Sequence, residues 1–409
     1  MDPHVTEWLN LVIRWIHMIV GIAWIGASFY FVWLENNLNR INPKTGLAGD
    51  LWAIHGGGIY HLEKYKLAPP EMPEKLHWFK WEAYFTWITG MLLLGIVYYL
   101  NAEIYLIAPG SGLSSAEAIG IGIGSLVVGW FVYDLLCDSA LGKTPLLLGI
   151  IIFALLVAAA YGLTLVFSGR GAYIHVGAII GTIMVGNVFR IIMPAQRNLV
   201  SAIEKGEEPD PTLPKKGLLR SRHNNYLTLP VLFIMISNHF PSTYGSNWNW
   251  LILAGLAAFS ILVRHYFNTR HGSQKFAWTL PAAAVGMMTL AFITSPTSKH
   301  VVSQVTETAS TSQVETKPEA SRTSVFTKVH SVIKERCTVC HSANPTHVAF
   351  QTAPAGVVLD TAEEIKNNVD RIVAQTVTTQ VMPIGNLTQM TEEERTLIGD
   401  WAAKGAKIQ

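Results

Sequence analysis

Residues 145–167 of this 409-residue chain read PLLLGIIIFALLVAAAYGLTLVF and contain no charged side chain. A helix of about 20 such residues is long enough to cross the hydrocarbon core of a bilayer. Counting this stretch, we predict about eight spans: 8–34, 81–100, 116–137, 145–167, 172–193, 226–240, 249–267 and 277–294. The stretch 226–240 is short and contains a proline, so it fits the pattern least well. The sequence predicts an all-α, polytopic membrane bundle.

The overall composition agrees with a membrane protein and excludes several other classes. Charged residues make up 14% of the chain, against about 25% in typical soluble proteins. A formal net charge of +2 is too small to indicate a nucleic-acid partner. Three cysteines in the whole chain are too few for a disulfide scaffold.

The charge distribution divides the chain into three parts. Charged residues make up about 12% of residues 1–294 and about 20% of residues 295–409. Residues 295–324 are rich in Ser, Thr, Val and Glu without a helical or strand period, which predicts a flexible linker. We therefore expect a membrane bundle (1–294), a tether (295–324) and a small soluble domain (325–409).

Basic residues in the loops predict the orientation of the bundle. The loops after the first, third, fifth and seventh predicted spans contain nearly all of the loop Lys and Arg, whereas the opposite loops contain only Arg170. Loops rich in Lys and Arg remain in the cytoplasm. Both termini, and the soluble domain with them, are therefore expected outside the cytoplasm.

Residues 337–341 read Cys-Thr-Val-Cys-His. Two thiols at this spacing can form thioethers with the two vinyl groups of a haem, and the adjacent histidine supplies an axial nitrogen to the iron. The motif predicts a covalent haem c on Cys337 and Cys340, with His341 as the proximal iron ligand.

The second axial ligand should be a soft donor later in the chain. Met382, which is followed by a proline, is our prediction; Met390 is the rival, at the start of the last predicted helix. A thioredoxin-type pair and a zinc site are the other interpretations of the motif. The first needs a βαβ context and the second needs further ligands, whereas only His347 is near.

Two predicted helices surround this motif. Residues 325–336 place Val325, Val329 and Val332 on one face, and Thr391 with Glu394 forms a capping box for a final helix. A helix, the haem motif, a methionine and a terminal helix in this order resemble a class I cytochrome c domain.

Ionisable side chains inside predicted spans are costly, so each is a functional candidate. His17 lies near the middle of the first span, and His175 lies in the outer half of the fifth. Two neutral imidazoles on facing helices would suit the axial positions of a haem b. Hydrogen bonding between helices is the competing interpretation of each histidine.

The chain resembles the bacterial membrane-bound, cytochrome c-linked urate oxidases, also called urate hydroxylases. The resemblance rests on residues 14–17 (RWIH), 24–31 (WIGASFYF), 55–61 (HGGGIYH) and 337–341 (CTVCH), and it covers essentially the whole chain. It implies oxidation of urate to 5-hydroxyisourate, with electrons passing through haem c to an acceptor of the respiratory chain. It also implies a multi-pass protein of the bacterial inner membrane whose cytochrome c domain is periplasmic.

The catalytic residues are not fixed by this resemblance. If urate is met on the cytoplasmic side, a general base and anion donors are expected among His61, His77, Glu82 and Arg190. The aromatic and basic residues around them are also typical of a membrane interface. A site on that side would need a carrier such as haem b, because electrons would have to cross about 30 Å of hydrocarbon.

Two other functions fit the same sequence. A haem-bearing electron-transfer subunit could serve a separate dehydrogenase, although a single helix would be enough to anchor a cytochrome. A transporter with a redox accessory is the other, but transporters often contain internal repeats and the chain has no convincing one.

Overall fold

The computed structural model describes residues 3–108, 110–294, 325–348, 350 and 352–408. These residues are mostly helical. The predicted linker, 295–324, lies outside the described residues. The first part of the chain contains the helices α1 (Pro3–Asn37), α2 (Trp81–Leu93), α3 (Ala102–Tyr105), α4 (Ser115–Asp138), α5 (Pro145–Thr164), α6 (Gly169–Gly186), α7 (Met193–Glu204), α8 (Thr212–Ile236), α9 (Pro241–Tyr244), α10 (Asn249–Thr269) and α11 (Thr279–Ile293). The C-terminal unit, residues 325–408, contains α12 (Val325–Arg336), α13 (Ala362–Asn367), α14 (Val369–Ile372) and α15 (Glu392–Ala403).

Six helices are long and apolar enough to cross a membrane: His4–Asn37, Ser115–Asp138, Pro145–Thr164, Gly169–Glu204, Asn249–Thr269 and Gln274–Ile293. They coincide with six of the eight predicted spans. The other two stretches are helical but interrupted. Residues 81–100 divide into α2 and a π-helical turn, and residues 226–240 form the end of α8 and a 3₁₀ turn.

The all-α prediction is wrong in the loop between α1 and α2, where the chain forms a β-hairpin. Strands β1 (Leu47–His55) and β2 (Gly58–Tyr65) pair antiparallel, with His55 opposite Gly58. The turn residues Gly56 and Gly57 both have positive φ, at 58° and 82°. A two-residue hairpin turn requires this conformation, so these glycines have a backbone role that does not depend on a ligand.

Helix α6, with the π-helical turn and α7 that continue it, forms the centre of the bundle. In its most apolar segment, 56% of the residues are buried, whereas in the other five candidate spans the share of buried residues is at most 22%. Glycines allow neighbouring helices to approach it closely. A Cβ added to Gly177 would lie 2.5 Å from Cγ2 of Ile234 on α8.

The C-terminal unit has its own core, in which α12 packs against α15. Val329 and Ile333 of α12 are fully buried, as is Ile398 of α15. The predicted face of α12 is therefore wrong in part: Val325 is 45% exposed. The buried pair is spaced i, i+4, which places both side chains on the same side of the helix.

We expect Gly177→Ala to destabilise the bundle by about 1–3 kcal/mol, because the added methyl group would overlap the buried Ile234. Gly181→Ala, one turn further along α6, is the matched control, because an added Cβ there has no neighbour within 4 Å. Alanine is the better helix former, so the control should be neutral or slightly stabilising. Thermal unfolding of the purified protein in detergent measures both; equal midpoints for the two variants would contradict the packing described.

Candidate functional site

The Cys-x-x-Cys-His motif begins where α12 ends. The Cys337 amide bonds to the Ile333 carbonyl at 2.8 Å and so continues the helix, and the His341 amide bonds to the Cys337 carbonyl, also at 2.8 Å. Cys337 is buried in the core of the C-terminal unit, and Cys340 is half-buried. The motif thus folds into one compact turn that presents two thiols and an imidazole.

A single hydrogen bond fixes the orientation of His341. Its Nδ1 lies 3.0 Å from the carbonyl oxygen of Val357. A carbonyl oxygen can only accept, so Nδ1 is the protonated nitrogen and Nε2 has the free lone pair. Metal-binding histidines are held in this way by their second nitrogen. The donor set, two thiols and an oriented imidazole Nε2, fits the attachment and axial ligation of haem c.

The environment of the thiols does not favour the alternative interpretations of the motif. Burial raises the pKa of Cys337 to about 12, and it also raises the pKa of Cys340. A thioredoxin-type nucleophile needs a lowered thiol pKa. Within the described ranges, no three His, Cys, Asp or Glu side chains come together as a metal-binding group.

The two candidate methionine ligands lie in different surroundings. Met390 is 3% exposed and belongs to the same core cluster as Cys337. Met382 is half-buried, and its carbonyl oxygen accepts a 2.7 Å hydrogen bond from Nη1 of Arg395. Arg395 is itself 5% exposed, so it holds the Met382 segment against α15.

A guanidinium–carboxylate pair joins the haem motif to the last helix. Nε and Nη2 of Arg336 donate to the Glu394 carboxylate at 3.1 Å, and Nη1 donates to the Thr388 carbonyl at 2.7 Å. The same carboxylate accepts from the Thr391 amide and completes the predicted capping box. The pair fixes the end of α12 relative to α15.

The segment that contains Met382 touches the bundle. A Cβ added to Gly385 would lie 3.1 Å from the Glu103 carbonyl oxygen of α3, and one added to Gly245 would lie 2.7 Å from Cβ of Thr379. Val381 packs against the main apolar core of the bundle. Residues 379–385 of the C-terminal unit therefore face the α3 and α9 end of the bundle.

The two histidines of the predicted haem b pair are each bonded to protein groups. His17 Nδ1 lies 2.9 Å from Oγ1 of Thr89. His175 is fully buried, with Nδ1 2.8 Å from the Gly171 carbonyl oxygen and Nε2 3.2 Å from the Tyr99 hydroxyl. An iron at His175 would have to take the place of that hydroxyl.

The four predicted cytoplasmic candidates do not form one cluster. His61 lies on β2, stacks on Trp52 and bonds to Asp50 at 2.9 Å. His77 lies in the following loop, and Arg190 is exposed in the π-helical turn after α6. Oε2 of Glu82 is buried without a partner among the described residues. No hydrogen bond or ion pair between described residues joins any two of the four.

Two polar clusters were not found by sequence reasoning. One joins Arg170 to Tyr98, Tyr105 and Asn238 at the end of the bundle that faces the C-terminal unit. The signal was present, since Arg170 is the one basic residue in the loops of that side, but it was used only to orient the chain.

The other cluster lies near the opposite end. The Tyr133 hydroxyl contacts His223 Nδ1 at 2.8 Å and accepts from Asn187 at 2.9 Å. Arg220 lies over the Tyr133 ring and pairs with Asp134. Asn187 begins a π-helical turn, and such turns often occur at functional sites. Periodicity in the sequence does not reveal a turn of this kind.

The comparison with family models agrees with the bundle described above. The model described as urate oxidase N-terminal matches residues 3–295, and the chain belongs to this family. No curated protein and no solved structure matches the chain. Membership of this family indicates an oxidoreductase that acts on urate.

The Arg336–Glu394 pair predicts a pH dependence. Desolvation opposes ionisation of Glu394, but the hydrogen bonds from Arg336 outweigh it and lower the pKa of this carboxyl. Its stabilising contribution is therefore present above the unfolded-state pKa of about 4.3 and is lost as the pH falls through the lower folded-state value. We expect Glu394→Gln to speed amide exchange in α15 at pH 7, with the difference from the parent shrinking in acid.

Hydrogen-exchange mass spectrometry of the full chain measures this for the α12 and α15 peptides. The glutamine oxygen can still accept from the Thr391 amide, so the variant keeps the capping box while it removes the charge and one of the two acceptor oxygens. Glu363→Gln, at an exposed carboxyl in the first turn of α13, is the control and should leave α15 unchanged. A Glu394→Gln difference that is equally large at pH 7 and pH 3 would be incompatible with this role of the charge.

Proposed function

We propose that the protein oxidises urate at the membrane and passes the electrons through a haem c bound to its C-terminal unit. The observation that carries the proposal is the His341 Nδ1 hydrogen bond to Val357, found in a chain whose bundle belongs to the urate oxidase N-terminal family. Proximal iron ligands are oriented by such a bond. Contact between the two units supports transfer within one molecule.

The reaction is a two-electron oxidation. Urate and one water molecule give 5-hydroxyisourate, two protons and two electrons, and the new C–O bond takes its oxygen from water. A haem c held by Cys337, Cys340 and His341 would supply one-electron transfer from the purine to an acceptor of the respiratory chain. No oxygen is consumed in this balance, so hydrogen peroxide is not a product.

This chain's own residues would hold and orient the group. The Cys337 and Cys340 thiols would provide the thioethers, and His341 Nε2 and the Met382 sulfur would be the iron ligands. The Met382 backbone is fixed at both ends, since its amide donates to the Gln375 carbonyl and its carbonyl accepts from Arg395.

The proposed location follows from the charge of the loops. Six helices of membrane length support a multi-pass protein. The basic loops would be cytoplasmic, so both termini and the C-terminal unit would be periplasmic in the bacterial inner membrane. The partners are then the lipid bilayer, urate and a respiratory electron acceptor. A haem b between His17 and His175 remains an expectation.

Urate should reduce the haem c of the purified full-length protein anaerobically, with two haems reduced per urate because each accepts one electron. The measurement is the rise of the c-type α-band after urate is added. Xanthine, added in the same way, is the control for reduction by an unrelated purine. If urate leaves an intact haem c oxidised, the proposed urate oxidase activity is wrong, and the result favours an electron-transfer subunit for a separate dehydrogenase.

The same sample reports its haem content. A pyridine haemochrome spectrum identifies haem c and states whether any haem b is present. Cys337→Ser with Cys340→Ser should remove all covalently bound haem. Covalent haem that persists in this double variant would contradict the assignment of the motif.

Met382→Leu should lower the haem c potential and remove the weak long-wavelength absorption of a methionine–iron bond, because the iron loses a thioether ligand. Met390→Leu is the matched control: it conserves volume in the core and should cost less than about 1.5 kcal/mol of stability, with the spectrum unchanged. Redox titration and the oxidised spectrum measure both variants. If only Met390→Leu changes the potential, the ligand assignment is reversed.

A further inference from the structure

We propose that Arg170, Tyr98, Tyr105 and Asn238 form the binding site for the urate anion, at the end of the bundle that faces the C-terminal unit. The inference rests on the proposed function and gives its substrate a place. It differs from the cytoplasmic position expected from the sequence.

The cluster is held together by hydrogen bonds and ring contacts. Nε of Arg170 donates to the Tyr98 hydroxyl and to Oδ1 of Asn238, both at 3.1 Å. The Tyr98 hydroxyl donates to the same Asn238 oxygen at 3.1 Å. The guanidinium lies 4.8 Å from the centre of the Tyr105 ring and 5.6 Å from the Tyr98 ring. Its position is therefore fixed from three sides.

The guanidinium keeps donors available for a ligand. Only Nε has a hydrogen-bond acceptor among the described residues, so the two terminal nitrogens have four N–H groups to offer. Two parallel N–H groups match the geometry of a planar oxyanion. The N–C–O edge of a urate anion presents acceptors of this kind.

The charge of the cluster is not balanced by protein groups. Arg14 of α1 lies close enough to Arg170 and Tyr98 to interact with both electrostatically. Among the described residues, no carboxylate lies within salt-bridge distance of either arginine. Two neighbouring guanidiniums repel each other, and a bound anion would relieve that repulsion. The cluster is therefore suited to an anionic ligand.

The cluster is next to the haem motif. Tyr105 lies close enough to Cys340 to interact with it electrostatically. Glu103 and Ile104, which precede Tyr105 in α3, contact Gly385 in the segment that contains Met382. A purine at Arg170 would thus be separated from the haem-binding turn by about one side chain. Electrons would not have to cross the bundle, and no intermediate carrier would be required.

Two other assignments compete for the same observations. Arg170 could pair with a carboxylate of the haem itself instead of with urate. Alternatively, urate could bind among the cytoplasmic candidates, where Arg190 is the available cation. The first predicts an effect of Arg170 on the haem potential without an effect on urate binding, and the second predicts that Arg190 controls binding.

Equilibrium binding of radiolabelled urate to the dithionite-reduced full-length holoprotein separates these assignments, since reduced haem prevents turnover. Arg170→Gln should weaken urate binding by roughly 10- to 100-fold, the effect of losing charge-assisted hydrogen bonds. Arg222→Gln removes the same charge from an exposed position of α8 and should bind urate like the parent. Arg170→Lys keeps the charge without the planar fork and should fall between the two.

Folding of each variant is checked by its c-type spectrum and its gel-filtration profile. If Arg170→Gln does not fold, Arg170→Lys and Tyr98→Phe test the proposal instead, and both should weaken urate binding. Parental urate affinity in the folded Arg170 variants overturns the inference, as does a shifted haem potential with unchanged affinity. Weakening by Arg190→Gln alone also overturns it. A parent protein whose haem c is not reduced by urate would instead refute the proposed function.

Discussion

The buried polar side chains of the helix bundle depend on one another, because an apolar interior offers them no other partner. Backbone groups there are satisfied within helices, and a buried polar side chain needs a partner on a neighbouring helix. Arg220 is 1% exposed and pairs with Asp134, while Asn187 is fully buried and bonds to Tyr133. These bonds bring α4, α6 and α8 together around the most buried helix. The glycines of α6 allow the close approach that the bonds require.

The need of a buried polar side chain for a partner also applies to Arg170. Among the buried or half-buried arginines of the bundle, Arg220 has a carboxylate partner, whereas Arg264, like Arg170, has neutral ones: it lies over Phe29 and bonds to Asn225. Arg170 has neutral hydrogen-bond partners at Nε only, a second arginine nearby and the Cys337–His341 turn beyond Tyr105. In the proposed assignment, substrate recognition and electron acceptance would meet at one interface, between parts of the chain that are far apart in sequence.

Much of the architecture was predictable from local pattern. Long apolar stretches predicted six of the helices, and the Thr391–Glu394 capping box predicted the start of α15. The β-hairpin was not predicted, because three glycines give a permissive backbone that does not by itself indicate a tight turn, and pairing of the flanking strands decided the matter. The buried face of α12 was also misjudged, since Val325, Val329 and Val332 are equally apolar and only contact with α15 selects among such residues.

The sequence by itself determined the apolar helices, the start of α15 and the Cys337–His341 motif, because each depends on consecutive residues whose chemistry needs no distant partner. Only the tertiary structure decided which nitrogen of His341 is protonated, that Met390 belongs to the core, and that Arg170 lies beside Tyr98, Tyr105 and Asn238. These facts depend on groups brought together from separate segments. A hydrogen bond or an electrostatic contact exists only once folding has fixed both of its partners in space.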